Sequence, residues 1–316
     1  MRLFVSALLA ALLASGCRSN ERPAAEPELP LTQVTAGRAG EDKDPEVSPD
    51  GKRLFYASSS FGNRSDLFTK LVGSNVATRI TSGPGDARFP KVNPADPRKL
   101  AFCSNSRGEW DICVLEDYTA SPPRVTVVSD AGTQDLHPSW SPDGRSLVWC
   151  STDDFARGRW TLRMKDLDSG TTRMLEDVEG LLPEWSPRGN RIVFQRMKER
   201  DGWLSSLWVL EIEGGSAKNL TAVFSSDEWA AINPSWSPDG RRVVFATVAK
   251  SSARAGVLNE ADDLWSMDAD GAHATRLTTA PASDWMPTWA PDGRIYFVSN
   301  RSGTNRIWSI HPRLPE

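Results

Sequence analysis

His137-Pro138-Ser139-Trp140-Ser141-Pro142-Asp143-Gly144-Arg145 is one of six variants of a single phrase, and that recurrence decides the fold. Before it stand Pro45-Glu46-Val47-Ser48-Pro49-Asp50-Gly51 and Pro90-Lys91-Val92-Asn93-Pro94-Ala95-Asp96. After it come Pro183-Glu184-Trp185-Ser186-Pro187-Arg188-Gly189, Pro234-Ser235-Trp236-Ser237-Pro238-Asp239-Gly240 and Pro287-Thr288-Trp289-Ala290-Pro291-Asp292-Gly293. The leading prolines are 45 to 53 residues apart, a period in the range of propeller-type arrays. Ser-Pro-Asp-Gly itself reads as a reverse turn between antiparallel strands. The Ser hydroxyl can bond forward to backbone amides, Pro presets φ at the second position, and Asp and Gly suit the last two.

Each turn is followed by an apolar, β-rich run: Leu54-Phe55-Tyr56, Leu100-Ala101-Phe102, Leu147-Val148-Trp149, Ile192-Val193-Phe194, Val243-Val244-Phe245 and Ile295-Tyr296-Phe297. A polar loop leads from there to a third strand, carrying Leu67-Phe68, Ile112-Cys113, Leu162-Arg163, Leu207-Trp208, Leu264-Trp265 or Ile307-Trp308. Fourth strands are short: Arg79-Ile80-Thr81, Val125-Thr126-Val127, Arg173-Met174-Leu175, Asn219-Leu220-Thr221 and Arg276-Leu277-Thr278, which is five for six repeats. Leu31-Thr32-Gln33-Val34-Thr35, ahead of the first repeat, has the same character. The expectation is therefore an all-β, six-bladed β-propeller of four-stranded antiparallel blades, in which the N-terminal strand completes the last blade and removes a free edge. Trp140, Trp185, Trp236 and Trp289 should fill the wedges between blades.

The first residues read differently. Arg2, an apolar run from Leu3 to Leu13 and then Ala14-Ser15-Gly16-Cys17 form a positive start, a short hydrophobic region and small residues before a cleavage point. Residues 1–17 are thus expected to be a lipoprotein signal peptide with Cys17 as the lipidated residue, its context resembling a bacterial lipobox. Residues 18–30, rich in Pro, Glu and Ala, should be a flexible tether, and 31–316 the propeller. Export to the periplasmic face of the outer membrane, held by the lipid, is the expected location.

With 37 basic against 41 acidic residues and no basic run, the chain does not have the clustered charge of a nucleic-acid binder. Cys103 and Cys113 fall on the two arms of one expected hairpin, where either a cross-strand disulfide or simple packing would suit them. Cys150 occupies the repeat position of Cys103, which favours packing.

The Pro-x-Trp-Ser-Pro-Asp-Gly turns, the stretch Phe297-Val298-Ser299-Asn300-Arg301-Ser302-Gly303-Thr304-Asn305-Arg306-Ile307-Trp308 and the strand Arg276-Leu277-Thr278 together resemble the TolB-like propeller family. The resemblance covers roughly residues 31–311. It implies a binding role in the cell envelope, with an envelope protein or peptide such as a peptidoglycan-associated lipoprotein as partner. In the protein that gives the family its name an α/β domain precedes the propeller. Here only the tether does, so a stand-alone, lipid-anchored, monomeric propeller is expected. Similar repeats occur in prolyl oligopeptidase-type peptidases and oligogalacturonate lyases.

No Gly-x-Ser-x-Gly elbow, His-Glu-x-x-His site or phosphate-cradling Gly-rich loop occurs, and His137, His273 and His311 sit at unrelated repeat positions, so no catalytic residue and no cofactor is expected. Acidic residues gather before the first strands: Asp42, Asp44, Asp86, Asp135, Glu179 and Asp284. A ring of such carboxylates at the channel mouth could take Ca2+ or attract basic partner segments, or the side chains could cap their own connectors. Trp110, Trp160, Trp203, Trp229 and Trp285 lie off the core positions, in loops that open on one face, and with Asp86, Arg88 and Asp284 they form the expected partner-binding surface. The alternative is a glycan-binding or glycan-active face, in which the Trp rings stack on sugars and a pair such as Asp86 and Asp284 supplies acid and base. The loops around Arg196–Ser206 and Lys250–Asp262 are the longest there.

Overall fold

A computed structural model describes residues 29–37, 39–154, 158–197, 205–249 and 262–313. Signal, lipobox Cys17, most of the tether, Trp203 and most of the two longest loops lie outside the described residues.

The turn chemistry read in the sequence recurs from blade to blade. Ser48 Oγ donates to Asp50 Oδ1 at 2.6 Å and accepts from the Arg53 amide at 2.9 Å, while Gly51 closes the turn onto the Ser48 carbonyl at φ 72°. Ser141 with Asp143 and Ser237 with Asp239 repeat the arrangement. These bonds to the ionised carboxylate hold Asp50, Asp143 and Asp239 below the ordinary Asp range. The second copy has Asn where the others carry Ser. Asn93 Oδ1 there accepts from the Ala95 and Asp96 amides, so an amide does the work of the hydroxyl.

Every such turn joins the innermost strand of a blade to the next one out. Blade one is β2 (Asp42–Val47), β3 (Arg53–Ser58), β4 (Asp66–Leu71) and β5 (Ala77–Arg79). Blade two is β6 (Ala87–Val92), β7 (Leu100–Ser104), β8 (Asp111–Leu115) and β9 (Val125–Val127). Blade three is β10 (Gln134–Trp140), β11 (Ser146–Thr152), β12 (Thr161–Asp166) and β13 (Thr172–Glu179). Blade four is β14 (Leu181–Trp185), β15 (Arg191–Met197), β16 (Ser205–Glu213) and β17 (Ser216–Phe224). Blade five is β18 (Trp229–Trp236), β19 (Arg242–Ala249), β20 (Asp263–Asp268) and β21 (Thr275–Arg276). In blade six, β22 (Asp284–Trp289), β23 (Ile295–Ser299) and β24 (Arg306–Ile310) are completed by β1 (Leu31–Gln33) on the outer edge.

Pairing is antiparallel throughout, and β1 meets β24 with Leu31 opposite Ile310 and Gln33 opposite Trp308. The N-terminal strand therefore closes the ring as expected. Apolar residues on facing sheets form one cluster at each of the six blade junctions. Trp140, Trp185 and Trp236 are buried, as expected of wedge residues, and Trp289 is half-buried against the cluster between blades five and six.

Cys103, Cys113 and Cys150 are buried free thiols. A Cys103–Cys113 disulfide, compatible with the sequence, is ruled out by register. Cys113 pairs with Phe102 and Cys103 with Ile112, so the two side chains point to opposite faces of the blade. Cys103 packs towards blade three and Cys113 towards blade one.

Candidate functional site: a stepped channel and its loop-face cleft

All six innermost strands break register at one place, where an extra residue precedes the leading proline: between Lys43 and Glu46, Arg88 and Lys91, Leu136 and Ser139, Leu181 and Glu184, Ile232 and Ser235, and Trp285 and Thr288. Proline has no amide hydrogen to give the ladder, so a bulge there sacrifices little pairing. The residue before it is left-handed in every blade: Asp44, Phe89, His137, Leu182, Asn233 and Met286 all have φ between 48° and 57°. For non-glycine residues this is an uncommon conformation. Here it lines the neck of the channel with these six side chains. The sequence reading named Asp44 among the connector carboxylates and His137 among the histidines but did not group the six, because they share no residue type. Their shared signal is position, one residue before each repeated proline.

The neck is narrow, with about 80 Å³ of free volume. Its walls are mostly apolar, with the Phe89 and His137 rings 4.1 Å apart. Arg88 grips Asp44 through Nε at 2.5 Å and Nη2 at 3.1 Å. Burial pushes the His137 imidazole down to about 4, with Asp44 opposing the fall and Arg88 and Lys91 adding to it, so it is neutral at pH 7. Its Nδ1 lies 3.5 Å from Cys150 Sγ.

Below the neck, on the side of the Ser-Pro-Asp-Gly turns, a second chamber of about 360 Å³ is lined by Glu46, Lys91, Ser139, Glu184, Ser235 and Thr288. Lys91 Nζ lies 3.2 Å from both Glu46 Oε2 and Glu184 Oε2. Glu184 also accepts from Ser235 Oγ and the Trp236 amide, each at 2.9 Å. Burial raises the Glu46 carboxyl above its ordinary range, with Glu184 adding to the rise and Lys91 opposing it. Lys91 is held charged above the usual ammonium range, its two carboxylates overcoming the cost of burial.

Above the neck, the loop face opens into a cleft of about 650 Å³ lined by Glu41, Lys43, Leu182, Gln195, Ile232, Asn233, Asp262, Ser283, Trp285, Asn300 and Asn305. Leu182 and Asn233 line both cleft and neck, so the two are continuous. Lys43 lies 2.6 Å from Glu41 and 5.7 Å from the centre of the Trp285 ring. Burial opposes ionisation of Glu41, but Lys43 and the Asn305 amide outweigh it and hold this carboxylate low. Asp262 is the reverse case: burial, then the neighbouring Asp263 and Asp284, push it up to about 7.

The residues expected at the binding face are divided by the structure. Trp285 lines the cleft, half-buried. Trp229, also half-buried, opens β18, its amide donating to Ser226 Oγ. Trp110 and Trp160 are half-buried over the wedges of blades two and three and three and four. Asp284 is fully buried and held by both of its oxygens on Arg301 Nη2, at 2.9 and 2.7 Å. Asp86 accepts from the Ser65 amide at 2.7 Å, and Arg88 belongs to Asp44.

The other connector carboxylates are tied locally as well: Asp42 to Ser58, Asp135 to Trp149 and Thr133, and Glu179 to Arg159. Neither Asp86 nor Asp284 lines the cleft, so the acid and base pair considered from sequence is not assembled. The reason is that each carboxylate is taken up by its own connector or blade. Among the described residues, no group of three or more His, Cys, Asp or Glu side chains is placed to hold a metal ion.

A family model for the TolB β-propeller domain matches residues 31–222, 124–256 and 159–313. The chain belongs to that family. The Tol-Pal system protein TolB of Anaeromyxobacter dehalogenans is 36% identical over 135 residues, 42% of this chain and 27% of that protein. The matches span about half, or less, of the length of the curated relatives. Among solved structures, a TolB candidate from Agrobacterium tumefaciens superposes with TM-score 0.63 at 21% identity, covering 87% of this chain and 91% of its own. Oligogalacturonate lyase from Vibrio parahaemolyticus gives 0.60 at 14% identity, covering 90% and 94%. At these identities the likeness is one of fold, and the fold serves binding proteins and enzymes alike.

Proposed function

We propose that this propeller is a non-enzymatic binding module of the cell envelope, exported and anchored through a lipid on Cys17 at the periplasmic face of the outer membrane. It engages an envelope protein or peptide through the loop face. The observation that carries the reading is the loop-face cleft, wide enough for a peptide segment and set beside Trp285, an aromatic of the kind that anchors interfaces. Kinship with TolB, whose name places it in the Tol-Pal system, supports an envelope partner, a peptidoglycan-associated lipoprotein among the candidates. The fully engaged connector carboxylates favour binding over hydrolysis.

A crosslinking pull-down from intact cells, comparing the native chain with a Trp229→Ala/Trp285→Ala variant, tests this. One envelope protein captured by the native chain and lost in the variant is the expected result. An identical set of partners in both would move the contact off this face. Replacing Cys17 with Ser should release the protein from membranes, and continued membrane association would remove the anchor from the reading.

A further inference from the structure

Among the described residues, three buried polar atoms around the cleft have no hydrogen-bond partner: Gln195 Oε1, Asp262 Oδ1 and Ser283 Oγ. The residues are 7%, 3% and 5% exposed, from the ends of blades four, five and six that meet at this opening. Buried polar atoms are nearly always paired, and one left unpaired costs free energy. All three residues line the same cleft, and three unpaired polar atoms around one cavity mark a place prepared for a ligand.

Their chemistry narrows the ligand. An amide oxygen and a carboxylate oxygen accept hydrogen bonds, and a hydroxyl accepts as readily as it donates, so the set calls for a donor with several hydrogens. Charge narrows it further. Asp263 is paired with Arg276, Asp284 with Arg301 and Glu41 with Lys43, so the neighbouring carboxylates already have cations. Asp262 has none among the described residues, and Asp263 and Asp284 beside it oppose its ionisation. An incoming cation would remove that opposition. Lys43 does not supply it, since its ammonium is held by Glu41 near the Trp285 ring.

Resting on the peptide-binding reading above, we infer that Gln195, Asp262 and Ser283 form a receptor for a primary ammonium of the bound peptide. A primary ammonium offers three hydrogens and one positive charge, matching three acceptors of which one is a carboxylate. Two sources carry this chemistry, a lysine side chain and a free N-terminus. The carbon stem of either would pass Trp285 on the way in.

The test uses the full chain and three short peptide amides, read by calorimetry. One is N-acetylated with a central lysine, one has a free N-terminus and no lysine, and one is N-acetylated with acetyl-lysine in the centre. At least one of the two ammonium peptides should bind about tenfold or more tightly than the neutral one, as expected for a charge-assisted contact. Which of them does so identifies the source. Asp262→Asn and Gln195→Met should each abolish that preference. Both substitutions remove an unpaired buried polar atom or charge, so the fold, checked by circular dichroism, should survive.

Equal binding of all three peptides, binding of none, or a preference that survives both substitutions would overturn the inference. The pull-down separates this failure from that of the broader reading. A partner lost with Trp285→Ala but kept with Asp262→Asn preserves the binding module and removes the ammonium receptor.

Discussion

Lys91 Nζ lies 3.2 Å from Glu184 Oε2 and equally close to Glu46 Oε2, so one side chain of blade two ties blade one to blade four across the channel. Glu46 and Glu184 come from opposed blades, and the ammonium that joins them narrows the passage between the neck and the lower chamber.

Replacing Lys91 with Met should leave two carboxylates facing a low-dielectric channel without their cation. Breaking a fully buried pair costs about 3–5 kcal/mol, and because Lys91 keeps a quarter of its side chain exposed the expected loss is about 2 kcal/mol. Thermal unfolding should show a drop of roughly 4 °C, smaller at acid pH, where protonation relieves the carboxylates. Adding Glu46→Gln and Glu184→Gln to Lys91→Met should recover most of it. A Lys91→Met protein as stable as the native one would mean that the bridge is solvated and contributes nothing.

Two titratable groups should bend the stability profile in opposite senses. His137 has its pKa lowered from 6.5 to about 4, so below 6.5 the unfolded chain takes up a proton that the folded chain refuses, and stability is lost as pH falls towards 4. Asp262 is raised from 3.8 to about 7, so the folded chain keeps a proton that the unfolded chain has released. Its contribution is full below 3.8 and is lost as pH rises through 7. At about 1.4 kcal/mol per pH unit the two shifts correspond to at most about 3 and 4 kcal/mol, and solvent in the channel beside His137 and in the cleft beside Asp262 reduces both. Urea unfolding across this pH range should show His137→Asn flattening the acid limb, Asn being the residue that blade five already carries at this left-handed position. Asp262→Asn should flatten the neutral limb. Unchanged limbs would place both groups in ordinary solvent.

The architecture was legible because the repeat writes its own punctuation. Ser-Pro-Asp-Gly forms the same bonds wherever it occurs, and the missing sixth outer strand could be counted and found at Leu31. The site was far less legible. Trp285 could be placed on the loop face because it breaks the repeat, but Asp86 and Asp284 looked equally available, and only coordinates reveal that Ser65 and Arg301 already hold them. The neck residues Asp44, Phe89, His137, Leu182, Asn233 and Met286 vary in chemistry because the position demands a backbone conformation, not a side-chain type. Gln195 carried no signal of its own. It stands where neighbouring blades put Cys150 and Ala246 in the apolar packing, and its meaning emerges only from the cleft that it borders.

Closure should depend on one hydroxyl more than the short length of β1 suggests. Thr35 is buried just beyond the strand, and its Oγ1 accepts from the Ile307 amide at 3.0 Å while its own amide donates to the Ile307 carbonyl at 3.2 Å. Lys70 Nζ, from blade one, donates to the Val34 carbonyl at 2.6 Å, so this segment is fastened to both blades that it joins. Thr35→Val keeps the shape but strands the Ile307 amide, at a cost of about 1–3 kcal/mol. Deleting the chain through Thr35 goes further, because it exposes the whole edge of β24 for pairing with another molecule. The substituted protein should unfold earlier yet remain monomeric by light scattering, whereas the truncated one should self-associate. A truncated protein that stayed monomeric and stable would show that the β24 edge needs no cover.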